Sequence, residues 1–348
     1  VTVDEHFSEA VGRPDLIDLG EGVACLRFES MKVASAVAAV RHLLDTGAVR
    51  PGDTLVDSSS GMYAHGLALA AHRYGLRCHI IGSTTVDRTL RVQLAVLGAT
   101  LEQMPPSDDL RLDQNRRVRR VREVIRDNPG FHWMRQYHDD VHALGYREAA
   151  DMIARETGDE PLTLVGGVGT GVSTGALARF LREREPGTAL VGVQPFGSVT
   201  FGGDGVEDRD IIIAGIGSSI PFGNVDHSLY DTVHWTGFSA ALAGSVDLLR
   251  RHAVFAGLST GAAHLAARWE ARRSPGRRIV FLAPDTGHRY VESVFARHSE
   301  AAAIEDLAPR EVLDPDDLEL PWSRMEWKGA APPSRAVHTD DLVTSLEG

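Results

Sequence analysis

The chain has 348 residues, enough for two lobes and a sizeable core. Its 48 acidic side chains against 36 basic ones give a formal net charge of −12, which argues against a general nucleic-acid binder, where an excess of cations must meet the phosphates. No apolar run approaches a membrane span, the first residues lack a signal-peptide pattern, and Cys25 and Cys78 are too few for a disulfide scaffold, so the expectation is a cytoplasmic protein with no membrane partner.

The first predicted element is a helix within FESMKVASAVAAVRHLLDTG (28–47). Ser30 is placed to cap its start, Val33, Val37, Val40 and Leu44 share one face, and Gly47 supplies the stop. Lys32 falls in the first turn, where the helix dipole and the unpaired N–H groups disfavour a second positive charge. A lowered amine pKa is the expected effect. Lys32 stands out for a second reason: Lys32 and Lys328 are the only lysines, and every other basic residue among the 36 Lys+Arg is arginine. Arginine serves well on a surface but does not lose its proton near neutral pH. A lysine kept in that background is a candidate for amine chemistry, as the neutral nucleophile that a Schiff base requires. Lys328 sits in a polar stretch and reads as a surface cation.

TLVDSS (54–59) reads as a strand and MYAHGLALAAHRYG (62–75) as a helix. The turn between them carries three serines and a glycine ahead of a helix start. That suits a small carboxylate, though an ordinary polar turn has the same composition, and the G-x-S-x-G of a nucleophile elbow is absent. RCHIIG (77–82) and ATLEQM (99–104) are further strands, with VQLAVLG (92–98) helical between them. Residues 105–131 hold a helix with Val118, Val121 and Ile125 as its apolar stripe, and Arg116, Arg117, Arg119, Arg120, Arg122 and Arg126 around it. In an acidic chain this is a solvated face and not a nucleic-acid patch. LTLVGG (162–167), TALVGVQP (188–195) and RRIVFLAP (277–284) are apolar strands, with helical spacing in 174–185 and 261–273. Strand, glycine-marked turn and helix in alternation predict an α/β fold of mainly parallel sheet flanked by helices.

Two of these turns are candidates for ligand binding. LTLVGGVGTGVSTGALARFL (162–181) runs from strand through a glycine-rich loop into a helix, either a plain tight turn or an anion site suited to a phosphate. Gly169-x-Gly171 is followed by glycine only at 175, one residue late for the dinucleotide fingerprint, and no Lys-Ser/Thr pair follows as in a Walker loop. FLAPDTGHRYVES (281–293) brings Asp285, Thr286 and His288 to the carboxyl end of a late strand, where ligands collect in open α/β sheets. Beyond residue 300 the chain is rich in proline and reads as an extension wrapping the body or a partner subunit, with Trp322, Met325 and Trp327 as anchors.

Taken together and in this order, these segments resemble the fold type II family of pyridoxal-phosphate enzymes, in its cysteine synthase and cystathionine β-synthase branch. Glu29-Ser30-Met31-Lys32 is similar to the family's G-S-x-K, and Ser59-Ser60-Gly61-Met62-Tyr63 to its T-S-G-N-T. The glycine loop is similar to G-T-G-G-T, and Pro284 to Tyr290 to Pro-Asp/Ser-Ser-Gly-x-Arg-Tyr. Residues 211–226, 135–153 and 256–263 resemble further family segments, so that the likeness covers about residues 15–300.

The resemblance implies pyridoxal 5'-phosphate as cofactor, Lys32 as the catalytic Schiff-base lysine, and no metal. Val168, Gly169, Thr170, Gly171 and Val172 would hold the phosphate, Gly215 would pass beside the ring, and the Thr286 hydroxyl would face the pyridine nitrogen. Met62 occupies the place of the family asparagine that bonds the phenolic oxygen. Ser59, Ser60, Gly61, Tyr63 and Gln136 would bind substrate, while Tyr63, His65, Trp133 and His138 are either packing or a wall for the second nucleophile. It further implies a large cofactor-binding lobe (1–32 and 148–300), a small mobile lobe (33–147), a C-terminal extension (301–348) and a homodimer. Met62, Val33 after the lysine, the lead-in Arg27-Phe28-Glu29 and two displaced glycines depart from the family pattern, chiefly on the substrate side.

A hydroxyl cannot keep the ring nitrogen protonated, so the ring is a weaker electron sink, which favours prompt β-elimination. The implied activity is cysteine synthase-like β-replacement on a serine-derived amino acid, such as an O-acetyl or O-phospho ester. It would pass through an aminoacrylate to which a second nucleophile adds, in a specialised biosynthetic pathway. The alternative is β-elimination by a serine or threonine dehydratase. A nicotinamide-dependent oxidoreductase and a non-enzymatic binding protein are the remaining readings.

Overall fold

The computed structural model describes residues 3–84, 86–105, 110–158, 160–211 and 215–328, with the backbone alone at 110–113. In chain order the first elements are α1 (Phe7–Gly12), β1 (Asp15–Gly20), β2 (Val23–Arg27), α2 (Met31–Asp45), β3 (Thr54–Ser58), α3 (Met62–Tyr74) and β4 (Arg77–Ser83). Then come α4 (Arg88–Val96), β5 (Thr100–Met104), α5 (Leu110–Asp127), β6 (Phe131–Trp133), a 3-10 turn (Asp140–Tyr146), α6 (Arg147–Thr157), β7 (Leu162–Gly167) and α7 (Val172–Arg182). The rest comprises β8 (Ala189–Pro195), β9 (Thr232–Thr236), α8 (Phe238–His252), α9 (Leu258–Arg273), β10 (Arg278–Ala283), β11 (Arg310–Glu311) and β12 (Trp322–Glu326). The chain divides into two compact units, Val1–Pro14 with Glu29–Tyr146, and Asp15–Phe28 with Arg147–Gly348.

The first unit is built on a parallel sheet of order β5-β4-β3-β6. Alternate residues of a strand point to opposite faces, and here both faces are covered. Leu55 and Ile80 pack under Ala36, Ala39 and Val40 of α2 and Leu67 and Ala70 of α3. On the other face Val56 and Ile81 meet Val121 and Val124 of α5. That double cover buries all five residues of β3, Asp57 among them. It also shifts the predicted stripe of α5: Val121 and Val124 are its fully buried pair, and Ile125 is packed at the margin.

The second unit carries a sheet of order β1-β2-β10-β7-β8-β9-β12-β11. From β2 to β9 neighbouring strands are parallel; β1 joins one side antiparallel, and β12 pairs antiparallel with β9 on the other. Val165, Val191, Val193 and Phe281 form a core with Leu242 of α8 and Ala262 and Ala266 of α9.

Three expectations are corrected here. Residues 1–14 and 29–32, assigned above to the larger lobe, belong to the first unit, because Val11 and Val33 share one apolar cluster with Leu69. Ser30 occupies the cap position of α2, but its hydroxyl makes no capping bond and is buried without a partner. The segment after residue 300 is in part a component of the sheet. Trp322, Met325 and Trp327 are buried as anchors, and β12 brings a polar network into the interior. Arg324 donates from Nε to Glu270 at 2.6 Å, His234 Nε2 lies 3.0 Å from the same carboxylate oxygen, and Trp322 Nε1 donates to His234 Nδ1 at 3.0 Å. The part of the extension beyond residue 328 lies outside the described residues, as do residues 212–214 of the 211–226 segment.

Candidate active site

The predicted residues divide between the two units. In the first, Lys32 is the second residue of α2. Its backbone lies against α3 so closely that a Cβ on Gly66 would stand 2.8 Å from the Lys32 carbonyl oxygen. The side chain keeps partial exposure, yet burial among protein atoms lowers its amine from 10.5 to about 8. Loss of water disfavours the ammonium, the charged form, and this adds to the helix-start argument made from sequence. His142, from the 3-10 turn, is buried and feels the Lys32 charge; its Nε2 lies 2.9 Å from the Met134 carbonyl, and Tyr63 stacks edge-on against its ring.

The turn after β3 follows directly. The Ser59 hydroxyl accepts from the N–H of Ala64 at 3.2 Å and of Gly61 at 3.4 Å, closing the start of α3. The Ser60 hydroxyl accepts from Ser83 N at 2.8 Å, tying the turn to the end of β4. Met62 opens α3 half-buried, with a thioether where an amide donor was expected. Tyr63 is buried, its hydroxyl 3.5 Å from His142 Nε2. Gln136 is buried and donates from Nε2 to the Ser58 carbonyl at 2.6 Å. The guanidinium groups of Arg122 and Arg135 approach the Trp133 ring, 5.9 and 5.8 Å from its centre. Lys32, the serine turn and Gln136 thus lie in one compact unit, whereas the sequence reading divided Lys32 from the other two.

In the second unit β7 ends at Gly167, and Val168 to Gly171 turn into α7, which starts at Val172. Gly171 takes the N-cap position with φ +80°. A Cβ on Gly169 would stand 2.6 Å from the carbonyl oxygen of Gly215, so bare backbone is required there. The first N–H groups of α7 have no partner within the helix and carry its positive end, which favours an anion. Thr286 is half-buried with its hydroxyl 3.1 Å from His288 Nδ1. Asp285 beside it is buried; it accepts from the Tyr290 hydroxyl at 3.0 Å, its other oxygen has no partner, and burial raises the carboxyl to about 6. At the start of α9 the hydroxyls of Ser259 and Thr260 are also buried without partners.

The sequence reading missed Asp57, a buried carboxylate at the end of β3, and His142. An acidic residue closing the apolar run TLVD was the one available signal for the first; nothing in the local pattern marks the second. Among the described residues no helix is long and apolar enough to cross a membrane, and no three His, Cys, Asp or Glu side chains gather as a metal site.

The profile of a family described as "Pyridoxal-phosphate dependent enzyme" matches residues 24–285. An N-(2-amino-2-carboxyethyl)-L-glutamate synthase of Ralstonia nicotianae is 33% identical over 269 residues, 76% of this chain and 78% of that protein. An O-acetylserine dependent cystathionine beta-synthase of Bacillus subtilis is 27% identical over 305 residues, 84% of this chain and 97% of that one. The crystal structure of an O-acetylserine dependent cystathionine beta-synthase from Helicobacter pylori superposes with a TM-score of 0.75 at 22% identity, covering 84% of this chain and 98% of that one. That of an O-ureido-L-serine synthase gives 0.73 at 23% identity, covering 83% and 94%. The two structures share this α/β fold.

Proposed function

From the premise that this chain belongs to the family of pyridoxal-phosphate dependent enzymes, we propose that it catalyses β-replacement on a serine-derived amino acid, joining that carbon skeleton to a second nucleophile. The observation that carries the reading is Lys32, held at a helix start with its amine brought down to about 8. The names of the relatives support it, since each places a serine-derived or 2-amino-2-carboxyethyl group in the reaction.

The residues fit the cofactor at three places. The amine of Lys32 has the lowered basicity a carbonyl partner needs, the Val168–Val172 turn offers bare backbone at a helix start for a phosphate, and Thr286 offers a neutral hydroxyl for a ring nitrogen. Met62 is the exception, because a thioether donates no hydrogen bond. When bound, pyridoxal phosphate supplies an aldehyde that links to an amine and a conjugated ring that draws electrons from the α-carbon.

Each residue then has a defined task. The neutral Nζ of Lys32, once released, takes the proton from the α-carbon of the substrate and later returns it. Ser59, Ser60 and Gly61, with Gln136, orient the substrate carboxylate through the turn at the start of α3. Gly169, Thr170 and Gly171 hold the phosphate by main-chain N–H groups, and Gly215 backs that turn. Tyr63 and Trp133 exclude water from the approach of the second nucleophile. The working form is read as a cytoplasmic homodimer with a mobile small lobe.

The test is direct. The holoenzyme is given O-acetylserine or O-phosphoserine with a panel of amines and thiols, and products are read by mass spectrometry. A new amino acid carrying the added nucleophile is the expected outcome; oxo-acid and ammonia alone would replace this reading with a dehydratase. Borohydride fixation followed by peptide mapping should tag Lys32, and a label on no lysine overturns the proposal.

A further inference from the structure

Asp57 stands at the end of β3, 1% exposed, in the same unit as the proposed carboxylate turn. Its oxygens collect three N–H donors, one from the next residue and two from the 133–136 segment. Oδ1 accepts from Ser58 N at 2.7 Å and from Trp133 Nε1 at 3.1 Å, and Oδ2 accepts from Gln136 N at 3.0 Å. The ring of bonds closes through the Ser58 carbonyl, which takes Gln136 Nε2 at 2.6 Å and the Tyr137 hydroxyl at 3.3 Å. Gln136, the turn that begins at Ser58 and the end of β6 are therefore tied to one carboxylate.

The groups facing Asp57 leave it without a counter-ion. Tyr63 of α3 and Cys78 of β4 both feel its charge and are themselves pushed up by burial, so both stay neutral. Tyr137 is likewise raised. Arg117 of α5 is the cation on this side, and its Nε donates to the Ser58 hydroxyl at 3.3 Å, one residue away. Among the described residues no ion pair is made to Asp57. Three N–H donors favour the ionised carboxylate while burial opposes it, and burial wins enough to bring the group up to about 7. An ionised carboxylate accepts at both oxygens; a carboxylic acid commits one oxygen to a hydroxyl and becomes a poorer acceptor.

We propose that Asp57 is a positioning residue: its carboxylate fixes Gln136 and the Ser58–Gly61 turn in the register that receives the substrate carboxylate, and uptake of one proton releases that register. This rests on the assignment of that turn to the substrate carboxylate. Asp57 acts through its neighbours, so its loss shows in substrate binding and leaves the cofactor in place.

The experiment follows the indole N–H signals of the tryptophans in the holoenzyme by nitrogen-15 NMR, with Trp133→Phe identifying the signal of Trp133. That signal is expected to titrate with a midpoint at about 7. The KM for the amino-acid substrate should rise about tenfold as the pH falls through the same range, with cofactor content unchanged. In Asp57→Asn the titration should vanish and KM should stay high at every pH; Asp57→Glu should restore a titrating signal. A Trp133 signal that does not move between about pH 6 and about pH 8 overturns the proposal, as does an Asp57→Asn enzyme with wild-type KM and pH profile. Should Asp57→Asn fail to fold, the wild-type titration decides alone. A protein that makes no β-replacement product yet shows the Trp133 titration would fail the functional reading only, whereas a working enzyme with a flat signal would fail this one only.

Discussion

Gly66 of α3 and Lys32 of α2 touch through their backbones, a Cβ on the glycine coming within 2.8 Å of the lysine carbonyl oxygen. The contact sets the height of the first turn of α2 and with it the origin of the lysine side chain. Gly66→Ala must push that turn away, since a carbonyl oxygen cannot be compressed to that distance. A loss of about 1–3 kcal/mol in unfolding free energy is expected, with a fall in the borohydride-fixed label at Lys32. Gly130→Ala, where a Cβ would meet nothing within 4 Å, should leave both unchanged.

The lowered amine of Lys32 gives a pH signature. Apoenzyme should take up pyridoxal phosphate covalently at a rate that rises as the pH passes about 8, because only the neutral amine attacks. The same shift acts on stability. Between about 8 and 10.5 the unfolded chain holds a proton on this lysine that the folded chain has given up, so the apoprotein gains stability as pH rises through that window. Lys32→Met should flatten the gain in a pH series of urea unfolding curves.

Glu270 is held down to about 2, against burial, by His234 and Arg324. Its contribution to stability is complete above the unfolded value of 4.5 and is lost as pH falls toward 2. Glu270→Gln removes the carboxylate at Nε of the buried Arg324 guanidinium while Glu311 and Glu326 stay on its other nitrogens, and should cost about 1–3 kcal/mol. Acid denaturation followed by tryptophan fluorescence should then show a weaker dependence on pH in the variant over that range.

Gly169→Ala addresses the phosphate turn. The methyl group would displace the turn from Gly215, since 2.6 Å to a carbonyl oxygen is too short. Equilibrium dialysis should show affinity for pyridoxal phosphate reduced more than about tenfold, with affinity for pyridoxal, which lacks the phosphate, little changed. Equal losses for both compounds would remove the phosphate from this turn.

The βα alternation was legible wherever a strand ended in a glycine-marked turn, as at 54–75 and 162–182. The strand at 232–236 and the helix after it were not read. Phe238–His252 opens with a run of buried small residues, Ala240, Ala241, Ala243 and Gly244 among them, and its charged residues come only in its second half, so the start of the helix has no polar punctuation. Lys32 was legible because arginine had displaced its rivals. Asp57 was not, since its character comes from burial and from donors on Trp133 and Gln136, far along the chain, and spacing reports neither. The hydroxyl of Ser30 shows the converse: the capping residue was present, and the bond was not.

Strand β12 completes the pairing of β9, yet more than eighty residues separate the two along the chain. During synthesis β9 leaves the ribosome with one side unmatched, and it stays so until Trp322 to Glu326 have been made. Until then that side is open to any extended segment of another nascent chain. Arg324 on the late strand meets Glu270 of α9 in the interior, a charged match that an apolar intruder on the same edge cannot make.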